Sequence, residues 1–376
     1  MKDILFTEDN LAKTAKRENN NKRKYLVVNP YQGKHVPTSG RQAEEMFDTL
    51  AEKLKNAYGE RSGRILIVGF AETATAIGAR LAITLGTLYT QTTREPIDNV
   101  EYLFFTESHS HATEQKLCRN DLESVIDNID MIVFAEDEVT TGSTILKIID
   151  IIEGLYPGRL KFSVASLLNG MENESLAVYS SRNIDVHYLV KTHHEGYTAI
   201  AESYTANGIY IEKDTAARSD LIITDIGENY VNTRRICSGS EYLAACTALA
   251  RSICERIPIE NVHSAAVIGT EEFMYPAIHT AAHLESLGIS AKTHSTTRSP
   301  IEVCTDKNYP LHTRFSLTSL YDPERQTFIY DIGKYDIVIV ITDSPFISEK
   351  GYHSLMNALR YSGNTNIYTF RWCSNE

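Results

Sequence analysis

The chain has 376 residues, of which 42% are hydrophobic and 23% are charged, and this length and composition predict a soluble protein of about two α/β-sized domains. No apolar run approaches the ~18 residues that a membrane span requires, so we expect no membrane partner. The formal net charge of −12 disfavours sequence-independent binding to nucleic acid, and it would repel a polyanionic substrate unless Mg²⁺ accompanied that substrate.

The first half of the chain alternates predicted helices and strands in the order typical of a parallel sheet with helices on both faces. The predicted elements are, in order, a helix at 42–57, a strand at 64–68, a loop at 69–75, a helix at 76–85 and strands at 87–92 and 102–105. This alternation predicts an α/β domain.

The segment 131–152 combines a buried strand, an acidic pair and a hydroxyl-rich loop. Residues 131–135 form a continuous apolar run, which is typical of a strand covered on both faces. Glu136 and Asp137 follow at the carboxyl end of this strand, where open α/β sheets place ligands. The loop then leads into an apolar-periodic helix at 145–152, so its N–H groups and hydroxyls suit a phosphate. The loop residues are Thr140, Thr141, Gly142, Ser143 and Thr144.

The second half repeats the order of elements found in the first. Its predicted elements are a helix at 241–256, a strand at 264–268, a loop at 269–276 and a helix at 277–287. Gly69 and Glu72 of the first loop recur as Gly269 and Glu272, which are 200 positions later. We infer a tandem duplication, for which the alternative is a coincidental α/β pattern.

Two further correspondences extend the repeat, but the chemistry of the first copy is not kept. The residues 92–97 match 296–301, and the strand that ends in Asp137 matches 337–343. After this strand the second copy continues with Pro345 and Phe346 in place of the acid pair and hydroxyl loop, which removes backbone donors and room for a phosphate. We therefore predict two tandem Rossmann-like parallel-sheet domains, at 1–215 and 216–376, of which the second is degenerate.

The segment 131–150 resembles the ribose-phosphate signature of type I phosphoribosyltransferases, and its Glu-Asp order is most similar to the orotate-type branch. Glu138 departs from this pattern, which usually has an aliphatic residue at that position. In the second half, the sequence Thr-Arg-Ser-Pro at 297–300 resembles the name-giving motif of the TRSP domain. TRSP domains follow phosphoribosyltransferase domains in bacterial gene clusters associated with tellurium resistance and stress. The two resemblances cover nearly the whole chain and imply two tandem phosphoribosyltransferase-like domains.

The resemblance implies a role for each polar element of the first half. Glu136 and Asp137 would hold the ribose hydroxyls directly or through Mg²⁺, and the loop 140–144 would hold the 5′-phosphate. Arg94 is placed like the arginine that reaches diphosphate, and its alternative is a surface ion pair. The diphosphate would also meet the first loop, for which a plain strand-helix connection is the alternative; the loop residues concerned are Gly69, Phe70, Ala71, Glu72 and Thr73.

A polar segment at 106–116 carries His109 and His111 and occupies the place of the mobile catalytic loop of the orotate-type branch. Such a loop could close over the substrate and deliver an imidazole or a lysine to the diphosphate. A His-x-His metal pair is the alternative reading, but no third ligand follows at a suitable spacing. We therefore favour a role for both histidines in a catalytic loop.

The leading hypothesis is a phosphoribosyltransferase that uses 5-phosphoribosyl diphosphate and Mg²⁺ to make or break an N-ribosidic bond to an unidentified base-like acceptor. One alternative is a non-catalytic sensor of ribose phosphates or nucleotides in a stress-response system. A ribose-phosphate diphosphokinase is a minor alternative, because the sequence has no GxxxxGK[ST] motif for ATP. In the second domain, Thr297, Arg298 and Ser299 are candidate site residues whose role the sequence leaves open.

The cysteines and the N-terminus bear on the cellular location. The six cysteines show no CxxC or Cys/His metal spacing, which indicates reduced thiols. The N-terminal residues include no apolar segment followed by a small-residue cleavage site, so no secretory export is indicated. We therefore expect a cytoplasmic protein. The family resemblance implies a homodimer, although the duplication could replace the second subunit within one chain.

Overall fold

The computed structural model describes residues 6–18, 23–106 and 114–374. The helices of these residues are α1 Glu8–Leu11, α2 Gly40–Tyr58, α3 Ala74–Leu85, α4 Arg119–Val125, α5 Ser143–Leu155, α6 Asn173–Ser181, α7 Tyr197–Ser203, α8 Gly239–Arg256, α9 Tyr275–Ser286 and α10 Glu349–Tyr361. The strands are β1 Lys13–Lys16, β2 Tyr25–Val28, β3 Ile65–Gly69, β4 Leu88–Gln91, β5 Tyr102–Thr106, β6 Glu114–Cys118, β7 Met131–Val139, β8 Lys161–Asn169, β9 Asp185–Lys191, β10 Ile209–Ile211, β11 Thr224–Ile226, β12 Cys237–Ser238, β13 Ser264–Thr270, β14 Ser290–Thr296, β15 Thr313–Thr318, β16 Gln326–Tyr330, β17 Ile337–Thr342 and β18 Ile367–Trp372.

The chain forms two compact units, and each unit takes a segment from the other half of the sequence. Unit 1 comprises Phe6, Glu45–His193 and Val231–Ala244. Unit 2 comprises Thr7–Glu44, His194–Tyr230 and the chain from Ala245 onward. The domain boundary predicted between residues 215 and 216 therefore falls inside unit 2. That this position divides the transferase domain from the TRSP domain stays a prediction.

The segment that precedes α2 belongs to unit 2, and the segment that precedes α8 belongs to unit 1, because each pairs with a strand of that unit. Within unit 2, Thr38 forms an antiparallel bridge with Thr293 of β14. Within unit 1, β12 pairs antiparallel with β4. Each leading segment thus extends the edge of a sheet that is built mainly from the other repeat.

Unit 1 is built on a six-stranded sheet with the strand order β12-β4-β3-β7-β8-β9. The strands from β4 to β9 in this order are all parallel. All five residues of β3 and the first five of β7 are buried, as expected for strands that are covered on both faces. The predicted strand at 131–135 continues to Val139, so Glu136 and Asp137 lie within the last part of β7.

The predicted strand at 102–105 lies outside this parallel sheet. It corresponds to β5, which pairs with β6, antiparallel, in a separate two-stranded sheet. The segment predicted as a loop at 106–116 overlaps two strands, since β5 ends at Thr106 and β6 begins at Glu114. The burial of side chains alternates along β6, since Gln115 and Leu117 are buried and Glu114 is exposed. This alternation is typical of a strand and explains why these residues do not form a loop.

Unit 2 contains a five-stranded parallel sheet with the order β11-β18-β17-β13-β14. β14, β13, β17 and β18 take the places that β4, β3, β7 and β8 hold in unit 1. The strand beyond β8 in unit 1 is β9, and the strand beyond β18 in unit 2 is β11. These two differ in chain order, because β9 comes after the other four strands of its repeat whereas β11 comes before the other four strands of its own. The predicted α/β class, with parallel sheets and a second domain, is confirmed.

The two repeats also share a local hydrogen bond at the start of the first loop. Ala71 N donates to Thr92 Oγ1 at 2.8 Å in unit 1, and Glu271 N donates to Thr296 Oγ1 at 3.1 Å in unit 2. These are the pairs that the sequence correspondence predicts. The structure therefore supports the tandem duplication.

A helix that spans a bilayer must be both long and apolar. None of the helices of the described residues is both long enough and apolar enough to cross a bilayer.

Candidate active site

The predicted site residues of the first half that the structure describes converge on one edge of the unit 1 sheet. β4, β3 and β7 are parallel neighbours, so their carboxyl ends meet at the same edge. The first loop follows β3, Arg94 follows β4, and the acid pair lies in the last part of β7. In open α/β sheets this edge is where ligands bind.

The acid pair lies at the border between the core and solvent. Glu136, Asp137 and Glu138 are all half-buried, whereas the residues before them in β7 are buried. Asp137 is not enclosed by the core.

The loop 140–144 is shaped by Gly142, which precedes α5 and has a φ of +70°. A Cβ at this position would lie 2.3 Å from Tyr179 Oη and 2.5 Å from Met171 Cε, so no larger residue fits. Tyr179 Oη donates to Gly142 O at 2.7 Å. Burial raises the pKa of Tyr179, and the negative charge of Glu136 raises it further. Tyr179 is a supporting residue that the sequence did not indicate.

The hydroxyls of this loop surround the N-terminus of α5, a helix of 13 residues. Thr141 is exposed, and Thr140, Ser143 and Thr144 are half-buried. Ser143 N donates to Thr141 Oγ1 at 3.3 Å. A helix N-terminus with accessible hydroxyls and N–H groups attracts anions, so the arrangement is suited to a phosphate.

The first loop is held by a buried hydrogen-bond network around Gln115. Its Nε2 donates to Ala71 O at 2.6 Å, and its Oε1 accepts from Thr92 Oγ1 at 2.8 Å. Gln115 is 1% exposed. It comes from β6, and nothing in the local sequence distinguishes it from other polar residues of that segment.

The backbone of the first loop passes close to the helix that follows it. A Cβ on Gly69 would lie 2.7 Å from Ala74 O, so the strand and α3 approach each other too closely for a side chain. The peptide bond between Ala71 and Glu72 is cis. Phe70, Ala71, Glu72 and Thr73 are all buried, which fixes the loop at the end of β3.

Arg94 is half-buried and sits in a turn that Thr93 closes. Thr93 Oγ1 accepts the Glu95 N–H at 2.9 Å. The backbone of Thr93 also exchanges two hydrogen bonds with Lys116 of β6, at 2.9 and 3.0 Å. The turn is therefore tied to the hairpin of β5 and β6. His109 and His111, which lie between these two strands in the sequence, fall outside the described residues.

In unit 2 the Thr-Arg-Ser motif follows β14 and forms the same kind of turn. Ser299 N donates to Thr297 Oγ1 at 3.2 Å. The Arg298 guanidinium, in contrast, forms an ion pair with the buried carboxylate of Glu271. Glu271 also accepts hydrogen bonds from Arg325 and Ser319. The motif thus builds a polar cluster at the carboxyl edge of the unit 2 sheet.

A metal ion would need ligands beyond the protein at the acid pair. Among residues 6–18, 23–106 and 114–374, no group of three or more His, Cys, Asp or Glu side chains is arranged to hold one. Mg²⁺ commonly binds through one or two carboxylates together with substrate phosphates and water. The pair formed by Glu136 and Asp137 fits that mode of binding.

Comparisons with solved structures find adenine phosphoribosyltransferases. The enzyme from Giardia lamblia, complexed with 9-deazaadenine, is 13% identical with a TM-score of 0.33, over 49% of this chain and 95% of that one. The enzyme from Trypanosoma brucei, in complex with AMP, pyrophosphate and ribose-5-phosphate, is 14% identical with a TM-score of 0.35, over 49% and 77%. The enzyme from Leishmania tarentolae is 14% identical with a TM-score of 0.35, over 49% and 85%.

No curated protein matches the chain, but two protein-family models do. Residues 11–194 match the PRTase_2 model, described as phosphoribosyl transferase, and residues 239–359 match the TRSP model, described as the TRSP domain C-terminal to PRTase_2. The chain therefore combines a phosphoribosyl transferase domain at 11–194 with a TRSP domain at 239–359.

Proposed function

We propose that unit 1 uses 5-phosphoribosyl diphosphate and Mg²⁺ to make or break an N-ribosidic bond to a base-like acceptor. The observation that carries this proposal is the convergence of three elements at one sheet edge: the first loop, the acid pair and the hydroxyl loop. Each element suits a different part of a phosphorylated ribose carrying a diphosphate. The convergence supports one substrate that spans all three.

In this proposal the residues act by holding the substrate rather than by forming a bond to it. Glu136 and Asp137 hold the ribose hydroxyls, the loop 140–144 holds the 5′-phosphate, and the first loop receives the diphosphate together with Arg94. The bond from C1′ to the diphosphate oxygen breaks with its electron pair leaving on diphosphate. A nitrogen of the acceptor forms the new bond to C1′, and its proton passes to diphosphate or water. Positioning and charge stabilisation are then the main sources of rate.

Mg²⁺ would bind at Glu136 and Asp137 together with oxygens of the substrate or water. When bound, it neutralises part of the diphosphate charge as that group departs. The requirement for a cation is consistent with the net charge of −12, because an acidic protein otherwise repels a polyanion.

An assay of diphosphate release tests the proposal. The full-length chain is incubated with Mg²⁺ and 5-phosphoribosyl diphosphate across a panel of bases, and release is expected with at least one of them. The double variant Glu136→Gln plus Asp137→Asn should lose this activity. Asp150→Asn plus Glu153→Gln is the matched control, because it removes two carboxylates that pair with Arg182 on the surface of α5.

Two outcomes of this assay would overturn the proposal. One is that no base leads to diphosphate release, and the other is full activity of the acid-pair variant. Tight binding of 5-phosphoribosyl diphosphate without turnover would instead favour the sensor hypothesis. Release of AMP from ATP and ribose 5-phosphate would favour the diphosphokinase hypothesis.

The setting of the reaction is also part of the proposal. The resemblance to TRSP-containing proteins supports a role in a stress response that includes tellurium resistance, and the spacing of the cysteines supports a cytoplasmic location. We propose a homodimer because the resemblance to phosphoribosyltransferases implies one. Light scattering of the purified chain tests the dimer, and growth of a deletion strain on tellurite tests the stress role.

A further inference from the structure

One part of unit 1, the segment 231–238, lies outside both family matches, which cover 11–194 and 239–359. We refer to this segment as the arm. It includes β12 and runs antiparallel along the edge strand β4. Gln91 N donates to Thr233 O at 3.0 Å, and Thr233 Oγ1 donates to Gln91 Oε1 at 2.8 Å. The arm is therefore fixed beside the end of β4, next to the turn that carries Arg94.

Arg234 of the arm contacts this turn directly. Its side chain is buried, with the residue only 7% exposed, and its Nε donates to Thr93 Oγ1 at 3.3 Å. The same oxygen accepts the Glu95 N–H. Thr93 Oγ1 thus closes the turn around Arg94 while it is itself held by Arg234. A buried guanidinium is unfavourable unless its donors are satisfied, and the bond to Thr93 Oγ1 satisfies one of them.

The next residue of the arm, Arg235, binds α4, the helix that follows the hairpin of β5 and β6. Its Nε and Nη2 donate to the two oxygens of Asp121 at 2.8 and 2.6 Å, and Ile236 N donates to Asp121 Oδ2 at 2.9 Å. Burial alone would raise the pKa of Asp121, but these hydrogen bonds outweigh it and lower the pKa below its ordinary value. Asp121 lies in α4, directly after β6. The arm therefore joins the Arg94 turn to the base of the hairpin.

From these contacts we infer that the arm positions the diphosphate end of the unit 1 site, and that Arg234 is a positioning residue acting through Thr93 on Arg94. The inference rests on the proposed function, in which Arg94 meets the diphosphate. The acid pair and the loop 140–144 are carried by β7 and α5, which the arm does not contact through these bonds. Loss of Arg234 should therefore weaken the hold on diphosphate and leave the hold on ribose 5-phosphate unchanged.

Calorimetric titration of the full-length chain in the presence of Mg²⁺ tests this separation. Three ligands are used: 5-phosphoribosyl diphosphate, inorganic diphosphate and ribose 5-phosphate. In Arg234→Ala the Kd of the two diphosphate ligands should rise about tenfold or more, as expected for loss of a charge-assisted contact. The Kd of ribose 5-phosphate should stay within about twofold, and Arg234→Lys should recover part of the loss.

Two further variants separate positioning from folding. Thr93→Val removes the oxygen that Arg234 holds but keeps the side-chain shape, so it should reproduce the selective loss, whereas Thr93→Ser keeps the oxygen and should not. Arg218→Ala is the control. Arg218 also lies between the two family matches, but outside the arm, and its side chain is 58% exposed. This variant should change none of the three affinities.

The outcomes distinguish this inference from the proposed function. An unchanged diphosphate affinity in both Arg234→Ala and Thr93→Val overturns the inference, and so does an equal loss for diphosphate and ribose 5-phosphate. If the unaltered chain binds none of the three ligands, the proposed function is wrong, and the inference is wrong with it.

Discussion

The carboxylate of Glu271 and the guanidinium of Arg298 form an ion pair in unit 2, with 2.6 Å between Oε2 and Nε, although Glu271 is only 1% exposed. Arg325 Nη1 donates to the same oxygen at 3.0 Å. By the correspondence of the repeats, Glu271 stands where unit 1 has Ala71, and Arg298 stands where unit 1 has Arg94. Unit 2 therefore contains its own anion at a position where unit 1 carries only a methyl group.

Removal of this internal anion should destabilise unit 2. Glu271→Ala leaves two guanidinium groups without their shared carboxylate in a mostly buried cluster, which costs about 3–5 kcal/mol of the free energy of unfolding. Urea unfolding of the full-length chain measures the loss. Glu324→Ala is the control, because its ion pair with Lys350 is exposed and should contribute no more than about 1 kcal/mol. Equal losses in the two variants would contradict the assignment.

The shape of the hydroxyl loop gives a second prediction. Gly142→Ala introduces a Cβ that meets Tyr179 and Met171, and it does so at a positive φ, so it should cost about 1–3 kcal/mol and abolish binding of ribose 5-phosphate. Gly154→Ala in the same helix is the matched control. Its Cβ would meet nothing within 4 Å, so it should leave binding intact and stabilise α5 by about 0.5–1 kcal/mol. Ribose 5-phosphate affinity that survives Gly142→Ala would argue against the loop as the phosphate site.

A buried histidine gives a prediction about pH. Burial lowers the pKa of His294 from 6.5 to about 4, and its Nε2 lies 2.7 Å from Tyr330 O. Between these two values the unfolded chain binds a proton that the folded chain does not. The stability contributed by neutral His294 is therefore complete above pH 6.5 and is lost as the pH falls toward 4.

The urea midpoint at about pH 7.5 and about pH 5 measures this loss. Because carboxylates also titrate near the lower pH, the informative quantity is the difference between the unaltered chain and His294→Gln, whose amide can still donate to Tyr330 O. The variant should lose less stability on acidification. The same decrease in both proteins would show that His294 does not titrate in this way.

The histidines of the predicted catalytic loop give a kinetic prediction. In His109→Ala plus His111→Ala, kcat for phosphoribosyl transfer should fall about 100-fold, as expected for loss of general acid-base assistance. The Kd of 5-phosphoribosyl diphosphate should change little, because the proposed binding elements remain. His263→Ala provides an exposed histidine as the control. A large loss of affinity with unchanged kcat would place the two histidines in substrate binding instead.

Much of the fold follows from patterns that are local in the sequence. The apolar runs of β3, β7, β13 and β17 indicate buried parallel strands, and the repeat spacing identifies equivalent loops in the two units. The placement of Glu136 and Asp137 at a sheet edge follows directly from their position after such a run. These features depend on neighbouring residues, so a single sequence is enough to predict them.

Other features depend on partners that are distant in the chain. Gln115 supports Ala71 from 44 residues away, Tyr179 supports Gly142 from 37 residues away, and Arg234 reaches Thr93 across 141 residues. No periodicity or spacing connects such pairs. The sequence alone does not reveal that β5 pairs antiparallel with β6, because the polar residues of β6 have the composition of a loop.

The exchange of leading segments has a practical consequence for anyone who shortens this protein. A cut after residue 215 would deprive the transferase half of β12 and expose the backbone N–H and C=O groups along β4. Uncovered strand borders of this kind recruit other chains and promote aggregation. A soluble fragment with an intact first sheet must therefore extend at least through Ser238, the last residue of β12, well past the point where the first family match ends.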